Sequence, residues 1–350
     1  MSKIHFKDVG IRAISACVPK TIERTRDLSY LLSEKEIGNL ENVVGIKEKR
    51  ISSDEICSSD LCFASAKKLL AENDVNPESI DVLLFMSKTP DYVVPTTSTL
   101  LQERLGLSHQ AFCLDLRAGC SGYIQALSLA FMYASLPEIN RVLVLNGDTL
   151  SRCMSKHDKS TTPIFGDAGA ATLVEKGNYG ESWFDIGSDG SDALAIHIPA
   201  SLGGRKDISK DSFVEKTDEN GNSRSDVQMY MNGMNVFSFA ISTVPKTIKS
   251  VLEYSGLTSD DIGIWLLHQA NSFINKTIAK KMKIQSEKVL MNIDRFGNTT
   301  HASIPLLISS ERGGKRLSER CLMAGFGSGL SWGSAILNFT DTNISELIEI

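Results

Sequence analysis

Two hydrophobic rhythms alternate along this chain. Short, nearly continuous apolar runs from Ile80 to Met86, Arg141 to Leu145, Ile262 to Leu267 and Cys321 to Ala324 read as strands covered on both faces. Between them, apolar residues recur at helical spacing. Cys57 to Ala71 predicts a helix that stops near Asn73-Asp74, ahead of Pro77. Pro95-Thr-Thr opens a second helix, which runs through Leu100, Leu101 and Leu105 to Gly106. Ile4 to Pro19 reads as a strand ending in a turn, and Thr21 to Arg50 as short helices and loop.

The order then repeats. Asn235 to Tyr254 predicts a helix, Asn271 to Met282 a helix, Val289 to Ile293 a strand and His301 to Ile308 a helix. The run beginning at Ile80 matches that beginning at Ile262 at an offset of 182, and Leu114-Asp115 matches Ile293-Asp294 at an offset of 179. Two segments sharing nearly one offset point to a duplicated αβ unit. Residues 1–175 and 176–350 are its two halves, with helices on both faces of mixed sheets. The stretch Gly203 to Asp226 is polar and turn-rich, and reads as an exposed loop.

Composition narrows the class. A chain of 350 residues with 42% hydrophobic content can bury a large core. No apolar run approaches a membrane span, and the N-terminus has no signal pattern, so a cytoplasmic protein is expected. Seven cysteines without a C-x-x-C pair argue against a disulfide framework or a zinc knuckle. With net charge −5 and dispersed basic residues, nucleic acid is not an expected partner.

The candidate chemistry begins at Ala111 to Leu129. An apolar strand-like run ends at Leu116, small residues turn the chain, and a helix-like series follows Ser121. Cys120 falls at the join. A cysteine at a helix N-terminus faces free N–H groups and the positive end of the helix dipole, both favouring thiolate. The alternative reading is a small buried apolar residue. The second-half counterpart of this turn carries Asn298, and the Ile262-to-Leu267 strand delivers His268. All three thus stand at strand ends, where open α/β sheets place ligands. Taken singly, the histidine also reads as a structural group and the asparagine as a turn residue. The stretch Gly325 to Gly333 is glycine-rich and suited to presenting N–H groups to an oxyanion. Its G-x-S-x-G match at Ser331 lacks the strand–turn–helix context and a following histidine, so it is not read as a nucleophile.

With these residues in place the chain resembles the thiolase-fold condensing enzymes, most closely the 3-oxoacyl-acyl carrier protein synthase III group. The resemblance rests on Ala118-Gly-Cys120-Ser-Gly, Phe165-Gly-Asp-Ala-Gly-Ala170, Met231-Asn-Gly-Met-Asn-Val-Phe237, Leu267-His-Gln-Ala-Asn271, Phe296-Gly-Asn298-Thr-Thr and Gly325-Phe-Gly-Ser-Gly, in the family's order. It implies an α/β fold of two pseudo-symmetric halves in a five-layered αβαβα sandwich, assembled as a homodimer. It also implies roles. Cys120 would carry an acyl primer as a thioester. His268 and Asn298 would hold the carbonyl of a malonyl extender as it loses CO2, and the backbone N–H groups of Cys120 and Ser328 would hold the tetrahedral oxyanion. No cofactor or metal is expected beyond thioester substrates on acyl carrier protein or coenzyme A. Where family members grip coenzyme A with a tryptophan and two arginines, this chain has Asn39, Val43 and Phe273. Arg152, Lys280, Lys281 and Asn271 remain as expected contacts for a phosphopantetheine carrier. Val94 replaces a bulky aromatic that closes the acyl pocket from the partner subunit, implying a primer longer or more branched than acetyl. The rival expectations are transfer of the same acyl group to an alcohol or amine, and a silent scaffold subunit paired with an active paralogue.

Overall fold

The computed structural model describes residues 2–350. The elements that place the site are β1 (Ser2–Val18), α1 (Ser58–Glu72), β2 (Val82–Met86), α2 (Thr97–Leu105), β3 (Phe112–Leu116), α3 (Gly122–Ala134), β4 (Arg141–Asp148) and β5 (Ala168–Ser188). They continue with α4 (Gly233–Ser255), β6 (Ile264–Leu267), α5 (Ser272–Met282), α6 (Ser303–Arg312), β7 (Arg320–Gly327) and β8 (Ser331–Asn338).

Side chains alternate across a strand, so a run buried on both faces must feed two cores. In β2, Leu83 and Phe85 pack with Ala66 and Leu69 of α1 and Leu101 and Leu105 of α2. Val82, Leu84 and Met86 point the other way, onto Tyr123, Leu127 and Phe131 of α3. The same division recurs in β6. Trp265 and Leu267 meet Val244 and Ile248 of α4 and Ile274 and Ile278 of α5, whereas Ile264 and Leu266 join the α3 cluster together with Leu307 of α6. Three cores between helices and sheet give five layers: α1 and α2 outermost, α3 and α6 central, α4 and α5 on the far side. This is the five-layered order that the resemblance implies.

Parallel pairs β3–β2–β4 form the first-half sheet, and β5 closes it antiparallel to β4. In the second half β6 and β7 pair in parallel, and β7–β8–β5 run antiparallel. The 21-residue β5 serves both. Residues 168–175 pair with β4 and residues 183–188 with β8, while β1 runs alongside nearly throughout, with a register shift between Lys7 and Val9. The boundary expected at 175/176 therefore falls inside one continuous strand, where its pairing partner changes.

One expected strand is different. Val289 to Ile293 contributes a single parallel bridge, Val289 to Trp265, in the place β3 holds beside β2, and the chain then turns into a short helix, Ile293–Phe296. The segment 203–226 is largely exposed, as expected. Arg224 nevertheless fastens it to the body through Asp158 at 2.8 Å.

Candidate active site

Cys120 lies between the end of β3 and the first turn of α3, and its thiol is buried. Two glycines set its position by leaving no room for a side chain. A Cβ on Gly327 would stand 2.7 Å from the Cys120 nitrogen, and one on Gly119 would stand 2.7 Å from the Ser328 nitrogen. The β7 terminus thus brings Ser328 beside Cys120. Neither of these two backbone N–H groups donates to a carbonyl of the described residues, and the Cys120 N–H faces its own sulfur. Their turn is tied by Ser331 Oγ, which donates to the Ser328 carbonyl at 2.9 Å and lies 2.7 Å from Ser121 Oγ. Ser331 is a strut here, in keeping with its rejection as a nucleophile.

His268 follows β6. Its Nδ1 lies 2.6 Å from Ser303 Oγ at the start of α6. With Ser303 donating, the proton belongs on Nε2, the ring nitrogen left for the cavity. Burial lowers its pKa to about 3, the charges of Lys88 and His301 add to this, and a contact with the Thr300 main chain partly opposes it. The imidazole is therefore neutral. Asn298 is held by its own main chain, donating to Ile164 O at 2.9 Å, and by Oδ1, which accepts from the Thr300 N–H at 2.9 Å. Its amide nitrogen is left as a donor.

Cys120, His268 and Asn298 line one cavity of about 340 Å³, with Ser328 on the same wall. The rest of that lining is mainly apolar, including Leu150, Phe165, Ile196, Met229 and Phe326. The thiol itself departs from expectation. Burial raises its pKa above the ordinary cysteine value; Lys88 lowers it, Asp148 raises it, and its own amide lowers it. The helix terminus by itself does not make this sulfur anionic.

Below the cavity sits a group that sequence reasoning missed. Asp148, at the end of β4, is 1% exposed on its side chain and receives the Lys88 N–H at 2.7 Å, Thr300 Oγ1 at 2.7 Å and Lys88 Nζ at 3.2 Å. His301 Nε2 lies 3.0 Å away. Burial would raise the pKa of Asp148, but His301 and Lys88, with hydrogen bonds from His301 and Thr300, hold the carboxylate well below its usual range. The chain Lys88–Asp148–Thr300–Asn298 runs from the cavity wall back to a cavity donor. The only signal in the sequence was a lysine two residues past a buried strand.

The expected carrier contacts are not brought to the cavity. Arg152 donates to the carbonyls of Ser53 and Ile56 at 2.7 and 2.8 Å. Asn271 caps α5 by accepting from the Phe273 N–H at 2.7 Å. Lys280 and Lys281 lie in the last turn of α5, roughly 15 Å along the helix from its capped end. Lys281 donates to Ile241 O and lines a separate groove with Lys249 and Lys283. Phe273 stacks on Phe237 with ring centroids 5.9 Å apart. Val94 is 81% exposed and lies outside this chain's cavity.

Comparison with known proteins agrees with the geometry. Residues 114–190 match the family model described as 3-oxoacyl-acyl-carrier-protein (ACP) synthase III, and residues 252–339 match that of its C-terminal region. A beta-ketoacyl-acyl-carrier-protein synthase III of Lactococcus lactis is 33% identical over 94% of this chain and 98% of its own length. One from Fusobacterium nucleatum is 31% identical, over 95% of this chain and 99% of its own. Among solved structures, a 3-oxoacyl-(acyl-carrier protein) synthase from Burkholderia xenovorans superposes with a TM-score of 0.92 at 34% identity, covering 100% of this chain and 99% of that one.

Proposed function

This chain belongs to the 3-oxoacyl-acyl-carrier-protein synthase III family, and we propose that it works through Cys120 as nucleophile with His268 and Asn298 as paired donors. The reaction is the decarboxylative condensation of an acyl primer with a malonyl-acyl carrier protein, giving a 3-oxoacyl thioester and CO2.

In the first half-reaction the sulfur attacks the primer's thioester carbonyl. The tetrahedral oxygen accepts from the free N–H groups of Cys120 and Ser328, and collapse expels the carrier thiol, which on balance takes the cysteine's proton. In the second, the malonyl carbonyl accepts from His268 Nε2–H and Asn298 Nδ2–H. The C–CO2 bond breaks, its electron pair enters the enolate, and the enolate carbon attacks the acyl-cysteine. The sulfur then leaves. A neutral imidazole can fill this role, because Nε2–H donates while Nδ1 accepts from Ser303. We read both steps as needing only thioester substrates and this chain's own groups.

The observation that carries the reading is the meeting, on one cavity, of a buried thiol, two side-chain donors and two unpartnered backbone N–H groups. We further place the enzyme in the cytoplasm as a homodimer. β3 is an edge strand paired only with β2, its Phe112 is exposed, and the apolar loop Tyr92-Val93-Val94 is exposed as well. In such a dimer Val94 would reach the neighbouring acyl pocket. The test is intact-protein mass after incubation with a panel of acyl thioesters, followed by CO2 release from malonyl-acyl carrier protein. Acyl mass on Cys120 and Asn298-dependent CO2 are expected; acylation elsewhere, or transfer to an alcohol or amine without CO2, would refute the assignment.

A further inference from the structure

A lysine in an acyl cavity is costly, since an ammonium leaves water only if its charge is met. Lys88 lines the same cavity as Cys120, His268 and Asn298, and its side chain is only 19% exposed. Asp148 meets its charge through Nζ at 3.2 Å, and its other oxygen accepts from the Lys88 backbone N–H at 2.7 Å, fixing the main chain at this residue. An ammonium has three donors, and Asp148 takes one. The strand end that carries it is packed against the nucleophile's helix: a Cβ on Gly122 would touch Met86 Sδ at 3.1 Å and His301 Cβ at 3.3 Å, so the end of β2, two residues before Lys88, abuts the first turn of α3.

The other charged or titratable groups near Cys120 do not stand in for it; His197, which also lines the cavity, holds its Nδ1 2.8 Å from the Leu194 carbonyl. His268, after β6, is neutral at working pH, with a pKa near 3. Cys153, after β4, is pushed up to about 11 by burial and stays a thiol. Asp148 is an anion, and His301 lies against it. Arg117, at the end of β3, lines the cavity but is exposed to solvent, where its field is screened.

We propose that the Lys88 ammonium, anchored on Asp148, is the counter-ion of the Cys120 thiolate and sets the pH at which the nucleophile becomes active. Burial and Lys88 act on the sulfur in opposite directions, and reciprocally the thiolate and Asp148 hold Lys88 protonated against the desolvation that would lower its pKa. The lysine thus does work that the helix terminus alone does not complete. The inference rests on Cys120 as nucleophile, but it is tested by alkylation, which needs no acyl chemistry.

The experiment measures alkylation of Cys120 by iodoacetamide, followed by peptide mass spectrometry on the full-length protein, from about pH 5 to 10. Lys88→Met should move the midpoint up by about one unit or more, slowing alkylation at neutral pH about tenfold while leaving the alkaline plateau unchanged. Lys88→Arg should restore the wild-type midpoint. Coincident midpoints for Lys88→Met and wild type would overturn the proposal. So would an unchanged profile with a raised KM for one acyl donor, which would make Lys88 a substrate anchor. Should Lys88→Met not fold, the wild type alone decides: anionic iodoacetate should gain on neutral iodoacetamide at Cys120 relative to a free thiol, and a ratio equal to the free thiol's refutes the idea. If Cys120 shows the Lys88-dependent profile yet never accepts an acyl group, the nucleophile assignment falls and the counter-ion pairing stands.

Discussion

Gly327 lies so close to Cys120 that a methyl group on it would sit 2.7 Å from the nucleophile's nitrogen and 3.2 Å from its sulfur. This contact joins the two halves of the chain at the reacting atom. Gly327→Ala must push Cys120 out of line, since the obstructing atoms are backbone as well as side chain. The expected outcome is loss of self-acylation with a stability cost of about 1–3 kcal/mol, typical of overpacking. Intact-mass acylation alongside a urea melt checks both parts; full acylation by the variant would mean that the close approach does not set the geometry.

Asn298 both donates into the cavity and accepts the Thr300 N–H. Asn298→Ala removes both and leaves a buried N–H unpaired at about 1–3 kcal/mol. Asn298→Asp keeps the acceptor and removes the donor. Both variants should still acylate on Cys120, and both should lose roughly 10²–10³-fold in CO2 release from malonyl-acyl carrier protein. Normal CO2 release by Asn298→Asp would remove this side chain from the mechanism.

The His268 pKa of about 3 has two consequences. Decarboxylation by a Cys120→Ser enzyme should be level from neutral pH down to about pH 5, because the imidazole does not titrate there; an acid limb near 6.5 would contradict its neutral, buried state. For stability, the unfolded histidine, with an ordinary pKa near 6.5, takes up its proton before the folded one. Stability is therefore undiminished above that value and declines as pH falls towards about 3, by up to about 1.4 kcal/mol per unit. Urea melts of wild type and His268→Gln over this window should converge as the pH drops.

Asp148 is the anchor of the polar floor. Asp148→Ala would leave the Lys88 ammonium and Thr300 hydroxyl without their acceptor, so a loss of about 3–5 kcal/mol is expected. The double variant Asp148→Ala with Lys88→Met should recover part of it, and a double-mutant cycle measures the coupling. Strictly additive losses would show that the pair is not energetically linked.

Primer choice is the remaining prediction. The cavity wall is mostly apolar, and the exposed Val94, which the proposed dimer would bring to the neighbouring pocket, is a small side chain. Acyl donors longer or more branched than acetyl should load Cys120 faster than acetyl does. Competition between paired thioesters, read by intact mass, tests the order. A clear preference for acetyl would return the pocket to the short-chain class.

Much of the fold was present in local pattern, because the rule that sorts side chains to two faces acts residue by residue. The run Ile80 to Met86 already carried both of its cores, and the strand–turn–helix around Cys120 was legible for the same reason. Repetition placed His268 and Asn298 in corresponding positions. The repeat misled at Val289 to Ile293, where apolar residues suited to a strand find only one bridge to Trp265 and the chain turns helical before Asn298. Local pattern also said little of β5, whose glycines and charges dilute its alternation over 21 residues.

What the sequence by itself determined, through its pattern and its resemblance, is the set of layers and the three side chains proposed to react. Tertiary structure alone decided their electrostatic state. Burial, which depends on neighbours far along the chain, raises Cys120 and lowers His268. The lysine that opposes the first effect meets Asp148 across 60 residues, and Asp148 in turn meets Thr300 and His301 across more than 150. Charge acts through distance in space, and no spacing along a chain encodes it.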